Sequence, residues 1–516
     1  MTARVLGVFS LFASLACIAD AETPKVVRMP MGRNAERSTL QKRGSSYEVD
    51  LGNAYPIGIY YVNASVGTPP QLVQLQLDTG SSDVWMFSNN ACPPTSQTCE
   101  GGTFDPTQST TFTNVPGGQG AFEIHYETPG SGVFGDYIAD TYQVGGIKLK
   151  QLQMGLAQSA TNVTTGIMGI AFDSDESAAS NGTVYPSVVD QMVTQGVINS
   201  RAYSLWLDDL QASTGSVLFG GIDTDKFQGT LAALPIQPDV NGDFTSFTVS
   251  WTGLALNDPT NGSIALTTSA FVSPAVLDSG TTLTIIPADL YTQLASFSGV
   301  VSTDIGDLVP CSIANYQGTL DFSFGGTGGP VIQVPFSELA IPETDNNGNP
   351  LMFQDGTAAC GFGLAPQTEG LDILFGDTFL RSAYVVYDLD QLEIGLAQTV
   401  FNTTKSNVQV IPASASGGAQ FSATLTGPQA TQTGSVGNPQ GTTAAVTATG
   451  VPTKAPGFGG ITGVSTMAVG KTGSATGSAA TASSTKASAA GALRAIDAAP
   501  WALTALIAVG FAMFVA

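Results

Sequence analysis

Between residues 47 and 400 the apolar side chains recur at every second position in short runs. Examples are YYVNASVG, GSVLFGGID, FTVSWTGLAL and SAYVVYDLDQLEIGLA. Glycine, proline, asparagine and aspartate interrupt the runs at short intervals. A period of two places alternate side chains on one face of a strand, and turn residues at this density read as hairpins, so the pattern predicts an all-β protein. Helical spacing is confined to residues 185–195 (YPSVVDQMVTQ) and 288–296 (ADLYTQLAS), each with a proline at its start.

The pattern is different at both ends. Residues 1–21 have Arg4, then an apolar core, then Ala19-Asp20-Ala21, which reads as a secretory signal peptide too short to span a membrane comfortably. Residues 22–43 form a basic segment ending in Lys42-Arg43, the expected site of a kexin-type processing protease. Such a pro-segment would be drawn to an acidic cleft and could hold an enzyme inactive. Two lobes, 44–234 and 235–400, are expected to follow. Residues 401–490 are rich in Ser, Thr, Ala and Gly and read as a disordered, O-glycosylated stalk. Residues 491–516 are apolar to the end, behind small residues and a short spacer. That is the pattern of a GPI-attachment signal, with Ser488 the expected attachment residue and a retained transmembrane helix the runner-up. The protein is thus expected on the extracellular face of the cell membrane or in the cell wall.

Charge narrows the classes. The 516 residues carry a net charge of −23, and only 11% are charged. Seven of the seventeen Lys and Arg precede Gly44, so no basic face is available and a nucleic-acid partner is excluded. Loss of the signal removes Cys17 and leaves Cys92, Cys99, Cys311 and Cys360. An even count in an oxidising compartment reads as two disulfides. Three connectivities are open; local pairing, Cys92–Cys99 and Cys311–Cys360, keeps one in each half. No Cys/His spacing supports zinc, and neither metal nor cofactor is expected. Sequons at Asn63, Asn162, Asn181, Asn261 and Asn402 agree with secretion.

The candidate chemistry lies in two similar stretches. Residues 75–85, LQLDTGSSDVW, bring an apolar run to a carboxylate, Asp78, at a turn. Gly80 permits the bend, and the hydroxyls of Thr79, Ser81 and Ser82 are placed to hydrogen-bond locally and hold it. About two hundred residues later AVLDSGTTLTIIP repeats the device with Asp278. If the two acids meet, like charge prevents both from ionising. The pair then shares a proton and can activate water for general acid–base hydrolysis, aspartic proteases being the standard example of such a dyad. Other routes are thin: the chain has one histidine, His125, and no G-x-S-x-G elbow. Glycosidases pair carboxylates without this duplicated turn. A binding or wall-structural protein that kept the fold is the rival from another class.

These motifs resemble the pepsin-like aspartic proteases over roughly residues 60–400, and the C-terminal features resemble the GPI-anchored fungal, yapsin-type branch. The resemblance implies a bilobal all-β fold, a monomer, protein or peptide substrates, and cleavage at acidic pH with Asp78 and Asp278 catalytic. Ser81 and Thr281 match the supporting hydroxyls. GIMGIAF (residues 166–172) and ILFGDTFLRSAYVVYD (373–388) match the segments that brace the two acid loops. The family's usual cysteine pairing is the local one. FEIHYETPGSGVFGDY (122–137) fits the flap, with Tyr126 as its tyrosine and Trp85 as that residue's hydrogen-bond partner. Glu127 lies one position from the usual place of an acid. Together with the acidic body, it favours basic residues near the scissile bond.

Overall fold

The computed structural model describes residues 26–33, 59–92, 99–126, 130–212, 214–303, 305–345, 348–368, 371–413, 418–419, 421 and 423–425. The signal, Lys42-Arg43, Glu127, the Asn181 side chain, the chain beyond residue 425 and Ser488 lie outside the described residues.

Strands dominate, and the alternation of side chains explains them. In Gln71–Asp78 the inward positions Val73, Leu75 and Leu77 are buried, and in Thr319–Phe324 the same holds for Leu320, Phe322 and Phe324. Among the described residues the α-helices are Val188–Thr194, Ala288–Ser298 and Asp377–Leu380. Ser187 caps the first through a capping box with Asp190, and the second starts after Pro287 and ends at Gly299 in the left-handed conformation. Both helices expected from the sequence are therefore present.

The architecture is two β-rich halves joined through one sheet. Tyr60–Val66, Gln71–Asp78, Val84–Ser88, Gly132–Val144 and Ile147–Thr161 belong to a sheet of sixteen strands. The second half builds an eight-stranded sheet around Thr248–Asp258 and Ser273–Leu277. The halves are sealed where Ala202–Trp206 pairs antiparallel with Ala383–Asp388, so late strands of the chain complete the large sheet. Both predicted disulfides, Cys92–Cys99 and Cys311–Cys360, are formed, with Cα separations of 6.1 and 4.9 Å.

Two stretches outside the expected body are part of it. Val27–Arg33, within the stretch expected to be a pro-segment, is a strand of the large sheet between Thr214–Phe219 and Tyr60–Val66. Its Arg28 pairs with buried Asp223 and donates to Ser406 Oγ at 3.0 Å, rather than meeting a carboxylate of the acid turns. Residues 401–413, expected to begin the stalk, also lie on the body: Val408–Val410 pairs with Gly221–Asp223, and Ala423–Thr424 adds parallel to Phe227–Pro235. Four sequon asparagines, Asn63, Asn162, Asn261 and Asn402, are exposed.

One buried ion pair ties the halves. Arg381 Nε donates to Glu338 Oε2 at 2.6 Å, and the other Glu338 oxygen accepts from the Leu210 amide at 3.2 Å. Both side chains are buried, so removing one charge strands the other. Arg381→Met is expected to destabilise the fold by about 3–5 kcal/mol, read as a large drop in thermal midpoint. An unchanged midpoint would show that the pair carries no weight.

Candidate active site

The site forms where the two acid turns meet. Each Asp ends a strand, and each strand is braced by a parallel partner. Gly166–Gly169 lies parallel to Gln71–Asp78, with Gly169 opposite Asp78. Leu374–Phe375 lies parallel to Ser273–Leu277, and the Asp278 amide donates to the Phe375 carbonyl at 3.2 Å. The bracing extends into the turns: the Ile170 amide donates to the Asp78 carbonyl and Ala171 to that of Ser81, both at 2.9 Å. In the second half the Asp377 amide donates to the Thr281 carbonyl at 2.8 Å. The two segments singled out in the sequence are the ones that do this.

The carboxylates are buried and symmetrically held. Asp78 accepts from the Gly80 amide at 2.7 Å and from Ser81 Oγ at 2.5 Å. Asp278 accepts from the Gly280 amide at 2.7 Å and from Thr281 Oγ1 at 2.5 Å. The two carboxyl groups lie within hydrogen-bonding reach of each other. Only glycine permits this approach: a methyl at Gly80 would stand 2.5 Å from Asp278 Oδ1, and one at Gly280 would run into Asp78 Oδ1.

The second residue of each triplet locks the turns together. Thr79 Oγ1 donates to the Leu277 carbonyl at 2.9 Å and accepts from the Ser279 amide at 2.9 Å. Ser279 Oγ donates to the Leu77 carbonyl at 3.0 Å and accepts from the Thr79 amide at 3.1 Å. Gln76 Nε2 adds a bond of 2.9 Å to the Gly280 carbonyl. The expectation that Thr79 and Ser82 bond locally is therefore corrected. Ser81 does so, but Thr79 reaches across the halves and Ser82 donates to the Phe172 carbonyl. Local turn chemistry yields here to a backbone carbonyl that only tertiary approach supplies.

Burial and the charge of Asp278 push Asp78 well above the ordinary carboxylate range. Asp278 also rises through burial, but hydrogen bonds from Thr281, from Asp78 and from the two glycine amides oppose the rise. One proton is therefore held by the pair as a unit.

Above the pair lies the hairpin of Phe122–His125 and Gly132–Val144, closed by the Tyr126 amide donating to the Ser131 carbonyl at 3.1 Å. Tyr126 and Trp85 are both buried, the phenol beside the indole N–H. Burial, followed by the charges of Asp78 and Asp83, pushes the Tyr126 phenol well above its usual range. The structure thus brings together Asp78, Asp278, Ser81, Thr281, Trp85 and Tyr126. His125, the only histidine of the chain, is exposed and meets Glu123.

Further acids near the site were not singled out from the sequence. Asp175, half-buried, follows the first bracing segment, and no described group hydrogen-bonds its carboxylate. Burial, then the charges of Asp78, Asp83 and Asp278, push it well up. Asp83 is buried and accepts from the Ser177 amide and from the hydroxyls of Tyr185, Tyr137 and Ser177. The signal for Asp83 was its place inside the first motif; for Asp175 the sequence offered only an acidic stretch, DSDES.

The chain matches known proteins along its folded length. The family model described as eukaryotic aspartyl protease covers residues 59–399. The chain is 40% identical over 399 residues to the probable aspartic-type endopeptidase OPSB of Trichophyton verrucosum, covering 75% of this chain and 78% of that one. It is 37% identical over 401 residues to the probable aspartic-type endopeptidase opsB of Aspergillus oryzae, covering 75% and 79%. Secreted aspartic protease 8 of Candida albicans is 36% identical over 373 residues, covering 71% and 81%. With two acid turns crossed at a buried carboxyl pair and a tyrosine hairpin above them, the chain belongs to the eukaryotic aspartyl protease family, whose fold it shares.

Proposed function

We propose that the protein is a secreted, surface-anchored aspartic endopeptidase that works at acidic pH and favours basic residues near the scissile bond. The observation that carries the reading is the carboxyl pair of Asp78 and Asp278, matched donor for donor. The ionised member takes a proton from a water as that water attacks the peptide carbonyl carbon. The protonated member donates to the carbonyl oxygen, and collapse of the tetrahedral species passes a proton to the leaving amine. Ser81 and Thr281 hold the carboxylates in plane, and Tyr126 closes over the substrate backbone.

The names of the relatives support secretion, and the exposed sequons are open to glycosylation. Processing at Lys42-Arg43, GPI attachment at Ser488 and a monomeric state complete the proposal and rest on the sequence. Asp175 supports the substrate preference: its carboxyl, neutral in acid because burial and the neighbouring acids hold its pKa up, ionises when a Lys or Arg of the substrate is placed beside it.

Asp78→Asn or Asp278→Asn should leave a folded protein with proteolysis reduced by at least ~10³-fold. Residual activity near wild type would refute the dyad. In cleavage profiling on a peptide library, Asp175→Asn should lower kcat/KM for Lys or Arg substrates about tenfold relative to Leu substrates. A library dominated by apolar P1 residues would remove the basic preference.

The pH dependence has a definite sign. Activity needs one proton on the pair, so it falls as pH rises through the upper apparent pKa and again in strong acid when the second carboxylate protonates. Stability follows the same direction. Asp78, Asp83, Asp175, Glu176 and Glu343 are all raised by burial, Glu343 to about 7 and Glu176 to about 10. Groups raised on folding contribute stability that is full below their unfolded values, about 4, and is lost as pH rises through their folded values. Asp223 and Asp258 are lowered and act oppositely, losing stability only toward the acid extreme. The thermal midpoint should therefore be higher at pH 4 than at pH 8, and Glu343→Gln should flatten the fall near pH 7.

A further inference from the structure

We infer that Asp83 is a positioning residue, whose buried carboxylate fixes the flap's return strand and the 173–185 loop to the strand leaving the first acid turn. This rests on the proteolytic reading and on Tyr126 as the flap residue.

Asp83 has no exposed surface and stands five residues after Asp78 and two before Trp85. One carboxylate oxygen accepts from the Tyr185 hydroxyl at 2.5 Å and from the Tyr137 hydroxyl at 3.4 Å. The other accepts from the Ser177 amide at 2.7 Å. Its own carbonyl accepts from Gly169, in the strand that braces Asp78, at 3.0 Å. Among the described residues no Lys or Arg is its partner, so the donors that compensate its burial are neutral. Each donor comes from a different piece of the site. Tyr137 is on the return strand of the flap hairpin, Ser177 opens the turn that follows Asp175, and Tyr185 leads into the helix Val188–Thr194.

Aromatic packing carries the constraint to the flap. The Tyr137 ring meets Phe122, on the outgoing flap strand, edge-to-face at 5.3 Å, and Tyr185 at 5.5 Å. Phe122 in turn lies 6.3 Å from Trp85, beside which the Tyr126 hydroxyl sits. Tyr137 also shares a hydrogen bond of 2.5 Å with Ser177 Oγ. Both flap strands and the 173–185 loop are thus referred to one carboxylate on the strand that follows the catalytic turn. An Asn in its place keeps one acceptor but turns an amide N–H toward the tyrosine hydroxyls or toward the Ser177 amide. The tyrosine hydroxyls can rotate to accept it, so the fold tolerates the change while the flap loses its register.

The test uses the processed enzyme, an internally quenched peptide spanning the cleft and a statine-containing peptide inhibitor. Asp83→Asn is expected to raise KM about tenfold with kcat changed far less, and to weaken the inhibitor by a similar factor. Tyr137→Phe should shift KM in the same direction by about threefold, and the double variant should be no worse than Asp83→Asn alone, since both act through one contact. A lower thermal midpoint with unchanged KM and inhibition constant would overturn the proposal, as would additive effects. If Asp83→Asn does not fold, Tyr137→Phe and Tyr185→Phe decide by the same readout, unchanged KM in both being fatal. Failure of the proteolytic reading itself would show separately, as an unmutated enzyme without dyad-dependent activity.

Discussion

The structure depends on the exchange of hydrogen bonds between Thr79 and Ser279. Each hydroxyl donates to a carbonyl of the opposite strand and accepts the amide of its counterpart, so four bonds cross the halves within two residues on each side. Both partners are buried, and a missing bond there would leave a polar group dry at a cost of about 1–3 kcal/mol. That penalty fixes the crossing geometry more tightly than apolar packing alone would. It sets the separation of the two strand ends, and with it the separation of Asp78 and Asp278.

Much of the architecture follows from holding those strand ends still. A carboxylate at a strand terminus moves with its strand, and so each strand is flanked by a parallel segment whose amides continue past the end into the turn. The two halves must also not drift. The large sheet takes strands from early and late in the chain, and the buried Arg381–Glu338 pair reaches Leu210 across the same seam. Hydrogen bonds spaced along a sheet resist sliding as well as separation, which suits a site assembled from both halves.

Much of this was legible in the sequence because it is written in local patterns. Period-two alternation gave the strands, the proline-headed helical stretches became helices, and the two acid turns announced themselves by their duplication. The cysteines of each half were close in sequence, and local pairing is what formed. Other features were illegible because they depend on which surface a segment meets. The alternation in Val27–Arg33 is short and flanked by charge, so it read as pro-segment alone, yet it fills a slot between two strands more than twenty-five residues away in sequence. Residues 401–413 adjoin the Ser/Thr/Ala/Gly-rich stretch and read with it, but Val408–Val410 pairs with Gly221–Asp223, Asp223 accepts from the Asn407 amide, and Ile411 is buried. Asp83 and Asp175 are acids in an acidic chain; their neighbours, not their spacing, distinguish them. Glu127 has no such assignment, lying outside the described residues.

The acids around the site are better understood together than singly. Asp78, Asp278, Asp83, Asp175 and Glu176 are all raised, and among the causes of their shifts burial comes first for every one. In neutral water such a group would be a liability, because each further ionisation raises the cost of the next. In acid most of its members are neutral and can donate as well as accept, so crowding is tolerated and the remaining negative charge concentrates on the groups with the most donors. Asp278, with Thr281 and two glycine amides, and Asp83, with four donor groups on three residues, are the best placed to keep it. The condition that lets the pair share a proton is therefore the same one that lets the surrounding acids be buried at all. Chemistry and stability draw on a single protonation equilibrium, and a substitution that relieves the crowding changes both.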